Sequence, residues 1–346
     1  MKKLFMLCLT LLLALAVAAC SGKEETGTGT DAKEDTGKKS DTVTVYSPHQ
    51  TEVINPIIKE FQDKTGIKVE LVSSGTGELL NRVQAESANP LGDVFWGGGA
   101  ESLEAFKSHF EAYEVADDAA IPDAYKSSED LWTGFSALPM VIMLNKDMVT
   151  GDDVPTSWED LLDDKWKGKI AYADPAKSGS SYTQLVTMLT AFNSQNDGWD
   201  FAKEFVANLD GKILSGSSMV YKGVADGEFP LGVTLEEAAY RYIAGGANVD
   251  VVYPSEGTSA VPDGMALIKG AKNQENAKTF LDFLASKEVQ ELIVSEFNRR
   301  SVREDVNAPE GLPATKDIPM VDYDFNWASE NQDDVMKKFQ DLVIGK

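Results

Sequence analysis

Cysteine and histidine are nearly absent from this 346-residue chain. The only cysteines, Cys8 and Cys20, fall within the first twenty residues. The body of the chain therefore forms no disulfide, no cysteine-rich metal site and no cysteine nucleophile. Two histidines, His49 and His109, give little material for a hydrolytic metal cluster. Positive charge is also scarce: 32 Lys and Arg stand against 56 Asp and Glu, a formal net charge of −24. Nucleic acid and anionic membrane surfaces would be repelled, so neither is an expected partner. A small anionic ligand is not excluded, because it feels a local site rather than the net charge. No G-x-S-x-G elbow is present, and no glycine-rich turn is followed by Gly-Lys-Ser/Thr. A phosphate-ester hydrolase is thus the weakest functional class, and an NTPase is rejected.

What is present begins with an address. Lys2 and Lys3 precede an apolar run from Leu4 to Val17, which closes on the small residues Val17-Ala18-Ala19. The run is short for a membrane span and has the layout of a cleaved signal peptide over residues 1–19. Cys20, directly after two small residues, resembles the cysteine of a bacterial lipobox, the alternative being a plain secretory signal. Cys20 is accordingly the expected lipidation site and membrane anchor, on the extracytoplasmic face of the cell membrane. Residues 20–41 continue as Gly, Thr, Ser, Lys and acids, a composition too polar to fold and suited to a flexible tether. No later apolar stretch is long enough to span a bilayer. From about residue 42 the chain is long enough for two domains.

The pattern over 43–99 alternates strand and helix. VTVYSP (43–48), IKVELVSS (67–74) and DVFW (93–96) read as strands, and VINPIIKEFQDKTG (53–66) and GELLNRVQAES (77–87) read as helices. Such alternation predicts parallel strands with helices on the faces, and ligands in such sheets sit beyond the strands' carboxyl ends. Ser47, Ser74 and Gly97 fall there. Further on, ALPMVIMLNKD (137–147) reads as a strand, and SWEDLLDDKWKGKIAYADP (157–175) as a helix then a strand. SGSSYTQLVTMLTAF (178–192) is a Ser/Gly turn running into a helix, KILSGSSMVYKGVADGE (212–228) another, and FPLGVTLEEAAYRYIAGG (229–246) a strand into a helix. Residues 247–270 are β-rich, 274–297 a helical pair, and 329–344 a terminal helix.

The ordered words VYSPHQTEVINPIIKEFQDKTGIKVELVSSGTGELLNRVQAE, NPLGDVFWGGGAESL, SWEDLLDDKWKGKIAYADPAKSGSSY and EGTSAVPDGMALIKGAKNQENAKTFLDFLASKEVQELI cover most of residues 43–297. Together they resemble the substrate-binding lipoproteins of bacterial ABC importers, in the subgroup of ferric-iron, phosphonate, thiamine and sugar-phosphate binders. The resemblance implies an α/β, two-lobed periplasmic-binding-protein-like fold of type 2. Each lobe would be a mostly parallel sheet flanked by helices, the two joined by crossing hinge strands. Lobe 1 would span 42–140 and 260–346 with the C-terminal helices, and lobe 2 would span 141–259. It further implies a monomeric, non-enzymatic receptor without a cofactor, serving a permease and its ATPase. Ferric-binding relatives hold the metal through two adjacent tyrosines after a G-E-x-P turn. Here GEFP (227–230) leads instead to Glu237-Ala238 at that place. Glu78 falls on the ferric group's glutamate, and the family's first-strand histidine aligns with Gln50, one place from His49. Classical iron ligation is therefore not expected, and Glu78 with His49 remain the alternative metal ligands.

The expected ligand is a small phosphorylated or phosphonate solute such as a hexose phosphate or 2-aminoethylphosphonate. Ser74-Gly75-Thr76-Gly77, Gly97-Gly98-Gly99, Ser178-Gly179-Ser180-Ser181 and the turn containing Ser217 carry hydroxyls and unhindered amides. Three of them precede helices, whose N-termini hold anions without needing a lysine; each alone also reads as an ordinary cap. Ser47 and His49 follow the first strand, and His49 is placed to donate to a phosphate. Glu236 and Glu256 are read as acceptors for sugar hydroxyls or an amine, flanked by Thr234 and Gly257. Trp96 either walls the cleft or is buried at the sheet end. Arg299, Arg300 and Arg303 supply either a phosphate contact or internal ion pairs.

Overall fold

The protein is described by a computed structural model covering residues 41–194 and 196–345. The expected signal peptide, Cys20 and the tether as far as residue 40 lie outside the described residues. In chain order, β1 (Thr42–Ser47), α1 (Thr51–Thr65), β2 (Lys68–Ser73), α2 (Thr76–Ala85), β3 (Val94–Gly99) and α3 (Ala100–Ala105) lead into β4 (Phe110–Glu111) and β5 (Thr133–Ala137). β6 (Met140–Asn145), β7 (Ile170–Ala171), α4 (Gly179–Ala191), α5 (Trp199–Leu209), α6 (Ser217–Ala225), β8 (Leu231–Leu235), α7 (Glu236–Ala244) and β9 (Val249–Val252) follow. The chain then runs through β10 (Pro262–Ile268), α8 (Gln274–Ala285), α9 (Lys287–Phe297), β11 (Arg300–Ser301), α10 (Phe325–Glu330) and α11 (Gln332–Val343).

The strands form two sheets. One has the order β11-β5-β10-β3-β1-β2 with β4 against β10, and the other β7-β8-β6-β9. Both are mixed rather than mostly parallel: β1 is parallel to β2 and β3, while β10 is antiparallel to β3, β4 and β5. The cause is the connectivity. β10 re-enters the first lobe from the second, so it runs against strands whose carboxyl ends face that lobe. In the second sheet only β7 and β8 are parallel.

Side-chain alternation divides the first lobe's core into two layers. Val43 and Val45 of β1, Val94 and Trp96 of β3, and Met265 and Leu267 of β10 pack with α1, α8 and α9. Tyr46, Phe95, Ala266 and Ile268 point the other way, onto α2 and α3. Helix α1 buries Val53, Ile54, Ile57, Ile58 and Phe61, the i, i+1, i+4, i+5, i+8 stripe of a helix against a sheet. It stops at Gly66, which is left-handed (φ 74°) and returns its N–H to Gln62 at 2.9 Å.

Three local expectations are corrected. Residues 157–168 make only 3₁₀ turns, at Glu159–Leu162 and Asp164–Trp166. Asp160 accepts the N–H groups of Thr156 (2.7 Å) and Ser157 (3.1 Å), and Asp163 that of Lys165 (3.0 Å). These local bonds compete with a continuous helix. Helix α5, unanticipated from the sequence, buries Phe201, Ala202, Phe205, Val206 and Leu209 in the second lobe. The C-terminal helices do not belong to the first lobe alone as α8 and α9 do: Phe325 of α10 rests on Trp132, and Gln332 of α11 donates to Ser102 at 2.7 Å, but their buried apolar residues lie in the other lobe. Ala328, Val335 and Phe339 of α10 and α11 lie in the second sheet's core, and Tyr182 donates to the carbonyl of Ala328 at 2.5 Å. The apolar face of α11 finds its complement beside α5 and α4, where long-range packing decides.

The crossings lie side by side. Met140 N–H donates to Ser259 (3.2 Å), and the Thr258 hydroxyl donates to the Met140 carbonyl (2.7 Å). A third segment, on its way to α10, joins them: Thr258 N–H donates to Pro319 and Val321 N–H to Thr258, both at 2.8 Å.

Candidate functional site

The carboxyl ends of β1, β2 and β3 face the second lobe across a cleft of about 410 Å³. Four helices begin at its wall: α1 after Gln50, α2 after Gly75, α4 after Ser178 and α6 after Gly216. Their first N–H groups have no intrahelical acceptor, and each helix end carries partial positive charge. Two come from each lobe, so an anion placed in the cleft would meet both lobes.

Glycine is required where the lobes meet. A Cβ on Gly75 would strike the Lys177 carbonyl oxygen, and one on Gly77 that of Ala176, both far inside van der Waals contact. A Cβ on Gly179 would come within 2.9 Å of the Thr76 hydroxyl. The 75–77 turn of the first lobe thus lies directly on the 176–179 turn of the second. Glu101 of α3, fully buried, accepts the hydroxyl of Thr183 on α4 and that of Tyr323 at 3.3 Å. Burial outweighs these two hydroxyls and a backbone N–H and pushes its pKa up to about 7.

Charge gathers at the cleft floor. His49 Nε2 lies 2.6 Å from Asp263 Oδ2, and Asp263 Oδ1 also accepts the Ser136 N–H (2.8 Å) and hydroxyl (2.6 Å). Burial pushes the His49 pKa down, only partly opposed by Asp263. Burial alone would raise that of Asp263, but the Arg299 charge and the His49 hydrogen bond outweigh it and hold it low. His49 is therefore neutral, its Nε2–H donates to the Asp263 carboxylate, and Nδ1 is an acceptor. Arg299 lies 3.4 Å from Asp263 and 3.6 Å from Glu237, and Arg241 lies 3.8 Å from Glu237. These ion pairs are longer than the 2.7–2.9 Å of charge-assisted hydrogen bonds. His49 Nδ1, Arg299 Nε and Glu237 Oε2 are buried without a hydrogen-bond partner among the described residues.

Of the residues expected from sequence, His49, Ser74, Gly75, Thr76, Gly98, Ser178, Gly179, Ser180 and Ser217 line this cleft. Others stand behind it. Ser47 is buried and donates to the Trp96 carbonyl at 2.6 Å. Gly77 lies in the first turn of α2, and Gly97 lies near the end of β3 at φ 122° with His49 and Pro48 against it. Ser181 donates back to Ser178. Trp96 belongs to the core, edge-on to His49, Phe135 and Phe280.

Five expected residues are occupied elsewhere or sealed off. Glu236 is held by Arg300 through two bonds of 2.8 and 2.9 Å and by the Tyr253 hydroxyl, because successive helical positions point about 100° apart and turn it away from Glu237. Glu256 accepts the N–H groups of Trp158 and Glu159, both at 3.0 Å, closing a turn remote from the cleft. Gly257 (φ 103°) packs on Met320 and Val321, and Thr234 is buried in β8. Arg303 pairs with Asp117 and Asp305. The alternative metal pair does not assemble: Glu78 is exposed and accepts from Ser74, while His49 is committed to Asp263. Among the described residues no group of three or more His, Cys, Asp or Glu is placed to hold a metal ion.

Sequence reasoning missed Asp263 and undervalued Glu237 and Gln50. A lone acid entering the apolar strand PDGMALI was the available signal for Asp263, and the doubled acid at the start of α7 was that for Glu237.

Comparison with known proteins places the chain in context. The profile of the family described as bacterial extracellular solute-binding protein matches residues 89–331. "Iron uptake protein A1" of Synechocystis is 29% identical over 74% of this chain and 74% of its own length. The "Putative 2-aminoethylphosphonate-binding periplasmic protein" of Salmonella typhimurium is 28% identical over 66% and 68%. The periplasmic binding protein AfuA of Actinobacillus pleuropneumoniae, solved with fructose-6-phosphate, superposes with a TM-score of 0.82. That superposition covers 88% of this chain and 98% of AfuA at 24% identity.

Proposed function

The chain belongs to the family of bacterial extracellular solute-binding proteins, and from that premise we propose that it is the receptor of an ABC importer for a small phosphorylated or phosphonate organic solute. The observation that carries the reading is the convergence of four helix N-termini, two from each lobe, on one cleft. The phosphoryl group sits among the turns Ser74–Thr76, Ser178–Ser180 and Ser215–Ser218. The remainder of the solute faces His49, Glu237, Asp263 and Arg299. A solute bound to one lobe recruits the donors of the other, and only contacts improved by closure can drive it. The closed form is what a permease and its ATPase recognise, and no chemistry on the solute is involved. A lipid on Cys20 and the tether behind it hold a monomeric receptor near its transporter on the extracytoplasmic face.

A second reading, ferric iron bound with an anion, is favoured by the likeness to the Synechocystis protein. One experiment separates the two. The purified full-length chain, unfolded and refolded to strip co-purified ligand, is tested by thermal shift. The panel holds glucose 6-phosphate, 2-aminoethylphosphonate, 3-phosphoglycerate, thiamine phosphate, inorganic phosphate and ferric citrate. A ligand at a hundredfold excess over its Kd stabilises by about 2.7 kcal/mol. A shift with an organophosphorus compound supports the proposal. A shift with ferric citrate alone, accompanied by visible absorbance, replaces it with the iron reading.

A further inference from the structure

Beside the main cleft lies a second cavity of about 460 Å³ between the start of α1 and the outer faces of α6 and α7. The two share Gln50, Glu52 and Ser218 in their walls, so they lie side by side with only these residues between them. Three polar atoms in this annex are buried without a hydrogen-bond partner among the described residues: Gln50 Oε1, the Tyr221 hydroxyl and Arg241 Nη1. Tyr221 is only 3% exposed, and the Arg241 guanidinium lies 5.5 Å from its ring centroid. Arg241 also sits one helical turn beyond Glu237, whose unpartnered Oε2 is 3.8 Å from Nη1. The Glu237–Arg241 couple therefore spans the boundary between cleft and annex.

Buried polar atoms are nearly always satisfied, and orphans beside a cavity call for a partner from outside the chain, a ligand group or a water. The set here is mixed. Arg241 donates, Gln50 Oε1 and the carboxylates of Glu237 and Glu52 accept, and the Tyr221 hydroxyl does either. An ammonium only donates; it would leave Arg241 unanswered and stand against its charge. A second anionic group would answer Arg241 but face Glu52 and Glu237. Lys222 does not alter that balance, because it is paired with Asp226. A hydroxyl both donates and accepts, and a chain of hydroxyls matches the whole set.

We propose that the annex is a subsite for the hydroxyl-bearing end of the solute. The ligand is then a polyhydroxylated phosphate ester of about sugar size, not a two-carbon aminophosphonate or a bare phosphate. The inference rests on the phosphate-receptor reading above, and the experiment keeps the two apart. Calorimetric titration of the full-length chain and of Tyr221→Phe uses glucose 6-phosphate, sorbitol 6-phosphate, glycerol 3-phosphate, 2-aminoethylphosphonate and inorganic phosphate. Tyr221→Phe removes one oxygen and keeps the ring that packs beside Arg241 and Tyr242, so the fold is retained. The parent chain binds at least one six-carbon ester about tenfold or more tighter than the short compounds. Tyr221→Phe weakens that ester by about tenfold and leaves glycerol 3-phosphate unchanged. Arg241→Gln, as a second variant, also touches the main cleft through Glu237, and it weakens the six-carbon ester by about tenfold more than glycerol 3-phosphate. Equal effects on long and short esters, no effect of either variant, or tightest binding of 2-aminoethylphosphonate overturns the subsite while leaving the phosphate reading intact. Binding of no phosphorus compound at all overturns both.

Discussion

Replacing Glu101 by Gln should abolish a pH dependence of stability that the parent chain carries between pH 4.5 and 7. Glu101 stands on α3 in the first lobe, is fully buried, and meets Thr183 of the second lobe and Tyr323. Burial raises its pKa from 4.5 to about 7, and the hydroxyl and backbone donors around it only partly offset the rise. In the unfolded chain the same carboxyl titrates near its ordinary value. Between the two pKa values the folded protein holds a proton that the unfolded chain has released. Stability therefore falls as pH rises through this window: the contribution is fully present below pH 4.5 and lost above about 7. At 1.36 kcal/mol per pKa unit the loss is about 3 kcal/mol. Urea unfolding at pH 5, 6, 7 and 8, analysed by linear extrapolation, measures it directly. The Glu101→Gln protein keeps an amide that Thr183 can still donate to and has no proton to lose. Its curve against pH should thus be flatter than the parent's by that amount. Parallel curves for the two proteins would refute the argument, because the carboxyl would then be ionised in both states.

Two further substitutions probe closure and its support. Gly77→Val places a side chain against the Ala176 carbonyl where the lobes meet. It should weaken solute binding by more than about tenfold in calorimetry, while small-angle scattering no longer shows compaction on adding ligand. Arg300→Met leaves the buried Glu236 without its cation, losing bonds of 2.8 and 2.9 Å and keeping only the Tyr253 hydroxyl. It should lower the unfolding free energy by about 3–5 kcal/mol, and adding Glu236→Gln should restore part of that in a double-mutant cycle.

Much of the fold was legible because its signals are local. The stripe Val53, Ile54, Ile57, Ile58, Phe61 and the stop at Gly66 define α1 without reference to anything distant. The alternation of Val43, Val45 and Tyr46 likewise defines β1. The Ser/Gly turns before α2, α4 and α6 were readable as helix starts for the same reason, since caps and unhindered amides are properties of a few adjacent residues.

What depends on partners far along the chain was not readable. Glu236 and Glu237 are neighbours of one type at the start of one helix. The tertiary structure alone turns the first onto Arg300 and leaves the second facing the cleft beside Arg299 and Arg241. The same holds for Asp263, an acid in an apolar strand whose charge is sustained by His49, 214 residues away in sequence, and by Arg299. The C-terminal helix joined the second lobe because its apolar face fits beside α5. The sequence by itself determined the helix starts and strand faces, through capping chemistry and side-chain periodicity. Only the packing of the two lobes decided which of the many acids meet a cation, because a carboxylate's role depends on burial and on charges brought to it from distant segments.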